Sequence, residues 1–208
     1  ANAEPITVDG FSATTGGNAP QKTLARIAYR EEGLWVAFEC FDEHMSKLKA
    51  DGHRRDQSIA GDDAVEFRID TGASGRSWFQ VSCNSLGVMR DERVLGPRMK
   101  DPGWDVSNQV SVKRLDDRWT AELVIPFKDL GLTSNPRNDL LLISLARRRH
   151  GGGALEKTTW ARPDPRGRTQ EGFRPVLFTG GKEPEAIACI SLSRGELARE
   201  GTLWNGNQ

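Results

Sequence analysis

The sequence predicts an all-β fold, a jelly-roll-like antiparallel β-sandwich with little helix. Three observations carry this. Apolar and polar residues alternate over many short runs, as in strands whose side chains point to opposite faces in turn. The runs are separated by Gly, Pro, Asp and Asn, the residues that punctuate turns. No window sustains the 3.6-residue period of an amphipathic helix.

"PITVDG" is a short strand ending at a glycine turn. Leu24, Ile27 and Tyr29 lead into "REEG", and Leu34, Val36, Phe38 and Cys40 alternate away from it, which makes a hairpin. "HMSKLKADGHRRD" is polar and broken by glycine, hence a loop or a short helix. "GDDAVEFRID", residues 61–70, is a strand with Val65, Phe67 and Ile69 on one face and Glu66, Arg68 and Asp70 on the other. "SWFQVSCNSLGVMRDE" reads as the next strand, bent at Gly87, with Phe79, Val81 and Cys83 inward and Trp78, Gln80 and Ser82 outward. "WDVSNQVSVKRLDDRWTAELVIPF" is a second hairpin turning at "LDDR". Pro126 ends it, because proline cannot donate to a ladder. "KDLGL" is a single helical turn. "NDLLLISLARRRH" is nearly all apolar at first and therefore central, and "TTWARP" and "RPVLFT" are late strands. Residues 1–180 form the sandwich. The character changes after Gly181, so residues 181–208 are either a connector to a further domain or an added edge strand.

The 208 residues carry 29 basic and 29 acidic side chains, and 37% of them are hydrophobic, enough for one core. Zero net charge argues against a nucleic-acid binder and supplies no polybasic membrane anchor. No apolar run approaches the roughly 20 residues that span a bilayer. The opening "ANAEP" resembles the surroundings of a signal-peptidase cut, which fits a secreted or periplasmic protein. Cys40, Cys83 and Cys189 are odd in number with no CxxC spacing, and the first two share core parity, so they read as small buried hydrophobes.

The candidate chemistry lies on the outward face of two successive strands. Glu66 and Arg68 stand there with Trp78, Gln80 and Ser82 if the strands pair, as sequential strands tend to. An indole offers a flat apolar platform. Carboxylate, guanidinium, amide and hydroxyl exchange hydrogen bonds with a polyhydroxylated ring. The plainer reading is a solvated face with a weak surface ion pair. Trp119 opens a core strand and reads as structural, and Trp35 has the parity opposite to Val36. Trp104 and Trp160 flank loops, as secondary platforms or as rim packing. Asp42, Asp62 and Asp63 sit at strand ends, which suits either an oxygen-liganded cation such as calcium or local turn caps. "ARRRH", residues 146–150, is a solvated basic face or an anion site. No GxSxG, Walker or zinc motif occurs, and no carboxylate pair stands out for glycosidic cleavage, so no catalytic residue is assigned.

The order of motifs adds a family. "GLWVAFECFD", "RRD…GDDAVEFRIDTG", "WFQVSCNSLGVMRD", "GWDV", "RWTAELVIPFKDLG" and "TTWARP" together resemble the family 9 carbohydrate-binding modules over roughly residues 5–179. The resemblance implies an antiparallel β-sandwich that binds oligosaccharides or polysaccharides without cutting them. It also implies a module of a secreted polysaccharide-active protein, accompanied by other domains of that protein and carrying structural calcium. It puts Glu66, Gln80 and Ser82 on positions that contact sugar. The family's two stacking tryptophans fall at "SIAG", residues 58–61, and at "RTQEGF", where Phe173 is the aromatic present. Three alternatives stand beside this reading. They are a glycosidase or lyase, a haem-binding relative with Met45, Met89 or Met99 as axial ligand, and a structural spacer of a larger glycoside hydrolase.

Overall fold

The computed structural model describes residues 6–30, 33–96, 98–107, 109–133, 140–151, 153–161, 172–179, 186–193 and 196–199. Strands run in chain order as β1 (Ile6–Val8), β2 (Ser12–Ala13), β3 (Thr23–Tyr29), β4 (Gly33–Phe41), β5 (Ala64–Asp70), β6 (Trp78–Asn84), β7 (Met89–Gly96) and β8 (Met99–Asp101). They continue as β9 (Gln109–Arg114), β10 (Arg118–Pro126), β11 (Leu140–Arg149), β12 (Glu156–Thr159), β13 (Arg174–Thr179), β14 (Ala186–Ser193) and β15 (Glu196–Arg199). Among the described residues the helical segments are two short 3-10 turns, Met45–Lys47 and Phe127–Leu130.

All named strand pairs are antiparallel and form two sheets. One has the order β1-β3-β4-β10-β9, and the other β15-β14-β13-β11-β5-β6-β7-β8, with β12 on β11 and β2 on β12. Each alternating run puts one set of side chains between the sheets. Val65, Phe67, Ile69, Phe79, Val81, Leu123 and Ile125 are all buried there, as the period of two predicts. Cys40 and Cys83 lie in the same core, and burial pushes both thiols up to about 12. Trp119 is fully enclosed. Strand β11 is central, paired with β5 on one side and with β13 and β12 on the other.

The segment around Gly87 differs from its sequence reading. It is a hairpin between β6 and β7, not one bent strand. The turn is built by Asn84. Its side-chain oxygen accepts from the Leu86 and Val88 N–H groups at 3.1 and 2.9 Å, and Gly87 takes the positive φ of 87° that an L side chain resists. The consequence is functional, because β7 adds a third row to the outer face of β5 and β6.

The basic cluster of β11 also differs from a solvated face. Arg147 and Arg149 are buried and turn inward to Asp42, which follows β4 of the opposite sheet. Arg149 donates through Nε and Nη2 to Asp42 at 2.7 and 3.0 Å, and Arg147 adds Nη2 at 3.1 Å. Arg147 also donates to the Phe41 carbonyl at 2.8 Å, which fastens one sheet to the other. Charges this deep persist only when paired and hydrogen-bonded. Burial alone would raise the Asp42 carboxyl, but hydrogen bonds from Arg149 and the His44 N–H hold it below the usual range.

Candidate functional site

Register fixes the composition of the outer face of the larger sheet. Glu66 stands between Ala146 on β11 and Ser82 on β6, and Arg68 between Ser144 and Gln80. Beyond them, Arg90 lies opposite Ser82, Glu92 opposite Gln80 and Val94 opposite Trp78 on β7. Arg148 shares the face, with Lys157 of β12 as its partner.

The five residues singled out on β5 and β6 do share this face, but they stand at different depths. Glu66, Arg68 and Ser82 are 2%, 5% and 2% exposed, whereas Trp78 and Gln80 are half-buried. The first three therefore form a floor beneath the surface instead of a wet face. Arg68 Nη2 donates to Glu66 at 2.6 Å, and Arg68 Nε donates to Gln80 Oε1 at 2.8 Å. Arg148 Nη1 meets the other Glu66 oxygen at 3.1 Å. Burial would raise the Glu66 carboxyl, but the Arg68, Arg148, Lys157 and Lys100 charges hold it below the ordinary range. It is thus an ionised, paired carboxylate.

Trp78 occupies the corner of the face. Its ring meets Phe173 edge-on at 5.6 Å between centroids, an arrangement aromatic pairs favour. Its indole N–H is buried without an acceptor. It also borders a cleft of about 540 Å³ whose further walls include Arg93, Trp104, Lys128 and Asp129. Trp104 is held in place by its N–H on the Asp129 carbonyl at 3.0 Å and by packing on Phe79 at 4.9 Å. Trp160 is elsewhere. It is nearly enclosed in the core, with the Arg174 guanidinium 4.8 Å over its ring, which leaves it no open platform. Trp35 lies on the outer face of the smaller sheet beneath the Arg30 guanidinium.

The acidic strand ends are fully engaged by the protein. Besides the pairing of Asp42, Asp62 accepts from the Asp51 and Gly52 N–H groups and from Asn84 Nδ2 at 2.8 Å. Its carboxyl too is lowered, since those bonds outweigh its burial. Asp63 accepts from the N–H groups of Lys49 and His150 at 2.7 and 3.0 Å. These carboxylates do not fit a metal, because donors already occupy their oxygens. Among the described residues, the acidic group whose oxygens gather within 4.8 Å of one another is Asp56, Asp91 and Asp105. There Asp91 Oδ2 accepts from Arg55 at 2.6 Å and from the Val106 N–H at 2.7 Å, while Oδ1 is buried with no partner. The Asp91 carboxyl is pushed up to about 6, chiefly by burial and further by Asp56, against the opposing pull of the Val106 N–H and the Arg55 charge.

Arg90, Glu92, Lys100 and Lys157 on the outer face went unread in the sequence, as did Asp56, Asp91 and Asp105. The signal was present for two of them. With Gly87 read as a hairpin turn, the alternation in "MRDERV" puts Arg90 and Glu92 outward.

Comparison with known structures rests on this geometry. A Bacteroides uniformis protein assigned to carbohydrate binding superposes with a TM-score of 0.62 at 11% identity, over 77% of this chain and 78% of its own. A family 9 carbohydrate-binding module from Caldicellulosiruptor kristjanssonii, in complex with cellotriose, gives 0.59 at 15% identity over 87% and 85%. A structure of a family 9 module from the same organism with glucose gives 0.57 at 11% identity over 84% and 86%. The chain has the family 9 carbohydrate-binding module fold. No protein-family model matches the sequence, and no curated protein matches it. Residues 58–61, one of the two positions where the family resemblance implies a stacking tryptophan, hold no aromatic; near the other, Phe173 packs against Trp78.

Proposed function

We propose that the chain is a non-catalytic carbohydrate-binding module of a secreted polysaccharide-active protein, gripping sugar at Trp78 on the outer face of the larger sheet. The observation that carries this is Trp78 itself. It is a half-buried indole packed against Phe173, at the corner of the face next to Gln80, whose amide in turn meets the Arg68–Glu66 pair. The family 9 fold and the cellotriose and glucose in two of its structural neighbours support the ligand class. With one platform in place of two facing ones, binding is weak, on the order of 0.1 to 1 mM. Trp78→Ala should weaken it by at least about 2 kcal/mol, the loss typical of a central aromatic contact. The fold should survive, because the ring lies off the core. Isothermal titration of both proteins against plant and algal oligosaccharides tests this. Equal binding by a folded Trp78→Ala variant moves the site elsewhere, and no binding at all leaves the spacer reading, which the burial of Glu66 and Arg68 favours.

We also propose that calcium binds among Asp56, Asp91 and Asp105. The support is Asp91 Oδ1, a buried oxygen without a hydrogen-bond partner in a cluster of three carboxylates whose present counter-charge is the one Arg55 guanidinium. Three protein oxygens leave room for the waters that complete a six- to eight-oxygen shell. A cation there would fasten the Asp56 loop to β7. Binding to the folded state alone raises the melting temperature by mass action. Millimolar calcium should therefore raise it over excess chelator in the wild type and not in Asp105→Asn, whose side chain is largely exposed. Identical melting in calcium and chelator would remove the site.

A further inference from the structure

The outer face of the larger sheet is cationic on a chain with no net charge. Arg68, Arg90, Lys100, Arg148 and Lys157 stand on it against Glu66 and Glu92. A further carboxylate at its end, Asp70, is consumed by its own turn, accepting from the Gly72 and Gly75 N–H groups and the Ser74 hydroxyl.

The charges are also layered. The carboxylates form the lower layer, with the Glu66 and Glu92 side chains 3% and 6% exposed. The cations form the rim, with Arg90, Lys100 and Lys157 side chains between 36% and 57% exposed. Lys100 and Arg90 reach down to Glu92 at 2.6 and 3.5 Å. Arg148 is only partly satisfied. Its Nη1 meets Glu66, whereas its Nε and Nη2 are buried with no acceptor. Unmatched guanidinium donors are costly and suit a planar carboxylate or a sulfate oxygen. A ligand approaching this face therefore meets the exposed Arg90, Lys100 and Lys157 charges first, with the enclosed Arg148 guanidinium beneath them.

We infer that the sugar held here is anionic, a polysaccharide whose rings carry carboxylate or sulfate groups. This rests on the carbohydrate reading above. The ring packed on Trp78 and bonded to Gln80 would have Lys100 level with it, and acidic groups on further rings of the same chain would lie over Arg90 and Lys157, about 13 to 20 Å along the strands at about 3.3 Å per residue. Uncharged glucans would satisfy the platform but leave the rim unmatched.

The test is titration of the whole chain at low and moderate salt with five probes. They are galacturonate oligomers, a sulfated galactan, cello-oligosaccharides, polyglutamate and single-stranded DNA. The carboxylated or the sulfated sugar should bind about tenfold tighter than the neutral one, and which of the two wins names the acidic group. That advantage should shrink with salt, since exposed charges are screened over about 10 Å at 0.1 M. Arg90→Gln and Lys157→Gln should each cost about two- to fivefold in affinity for the acidic sugar, as for exposed charge pairs, while melting as wild type. Equal or stronger binding of the neutral oligosaccharide overturns the anionic assignment and leaves the carbohydrate reading standing. Equal binding of polyglutamate or DNA shows bare electrostatics and overturns it as well. Binding of none of the five removes both readings.

Discussion

Arg147, Arg148 and Arg149 are consecutive on β11, and the strand period sends them to opposite sides of one sheet. The inward pair reaches Asp42 and the Phe41 carbonyl, and every nitrogen of the Arg149 guanidinium has an acceptor. The outward Arg148 has Glu66 and two donors left over. Both clusters bury carboxylates paired to guanidiniums, and both leave a buried guanidinium nitrogen without an acceptor, Arg147 Nε inside and Arg148 Nε and Nη2 outside, yet only the outer one ends in exposed cations. Burial and pairing alone do not separate structural charge from functional charge. What separates them is whether exposed cations stand over the buried carboxylate, as Arg90, Lys100 and Lys157 do on the outer face.

The largest effect expected is on the inward side. Asp42→Ala should cost about 3–5 kcal/mol, because it leaves two guanidiniums buried without their counter-charge. It also releases the tie between the sheets. Urea unfolding would measure it, and a loss under 1 kcal/mol would show that the two arginines find other acceptors. Sugar binding should be unchanged wherever the variant remains folded.

Glu66→Gln should cost less, about 2–3 kcal/mol, since the amide oxygen still accepts from Arg68 or Arg148 while its NH2 leaves the other guanidinium without an acceptor. Its mark on binding separates the two clusters. Removing a carboxylate from beneath a cationic rim should hold or strengthen affinity for an acidic sugar, in contrast to Trp78→Ala. A Glu66→Gln variant that folds and loses all binding would instead make Glu66 a direct contact, as the family resemblance implied.

How much of this was legible in the sequence follows from the same strand period. Parity alone put Val65, Phe67 and Ile69 inside and Glu66, Arg68, Gln80 and Ser82 on one outer face. It could not give depth. Glu66 is enclosed because cationic side chains from β8, β11 and β12 converge on it with Arg68, and that depends on which distant strands become neighbours. The turn at Gly87 was read as a bend, so the third row, Arg90 and Glu92, was missed although its alternation is plain. Asp42 was read as a metal ligand for a related reason. A strand-end carboxylate looks alike whether a cation or two arginines from another sheet will meet it, and "ARRRH" lies more than a hundred residues away.

The smallest effect is a pH dependence that apportions acid sensitivity between the clusters. Asp42 and Glu66 both have folded-state carboxyls held below their ordinary values. A depressed carboxyl contributes stability above its unfolded pKa, about 4, and loses it as pH falls through the lower folded value. Their contributions should therefore be fully present from neutral pH down to about 5. They should decline only below about 4, where the folded state resists protons that the unfolded chain accepts. Melting temperature followed from pH 7 to 3 would show the wild type falling steeply at the acid end. Asp42→Asn and Glu66→Gln, each already lacking one such carboxylate, should start lower and fall less. The shallower slope should be the more pronounced in Asp42→Asn, whose lost group faced two buried guanidiniums and no solvent. Parallel curves for all three proteins would show that the acid transition belongs to other carboxylates, with Asp62 the next to examine, since its oxygens accept from Asn84, Asp51 and Gly52 and its carboxyl is lowered in the same sense.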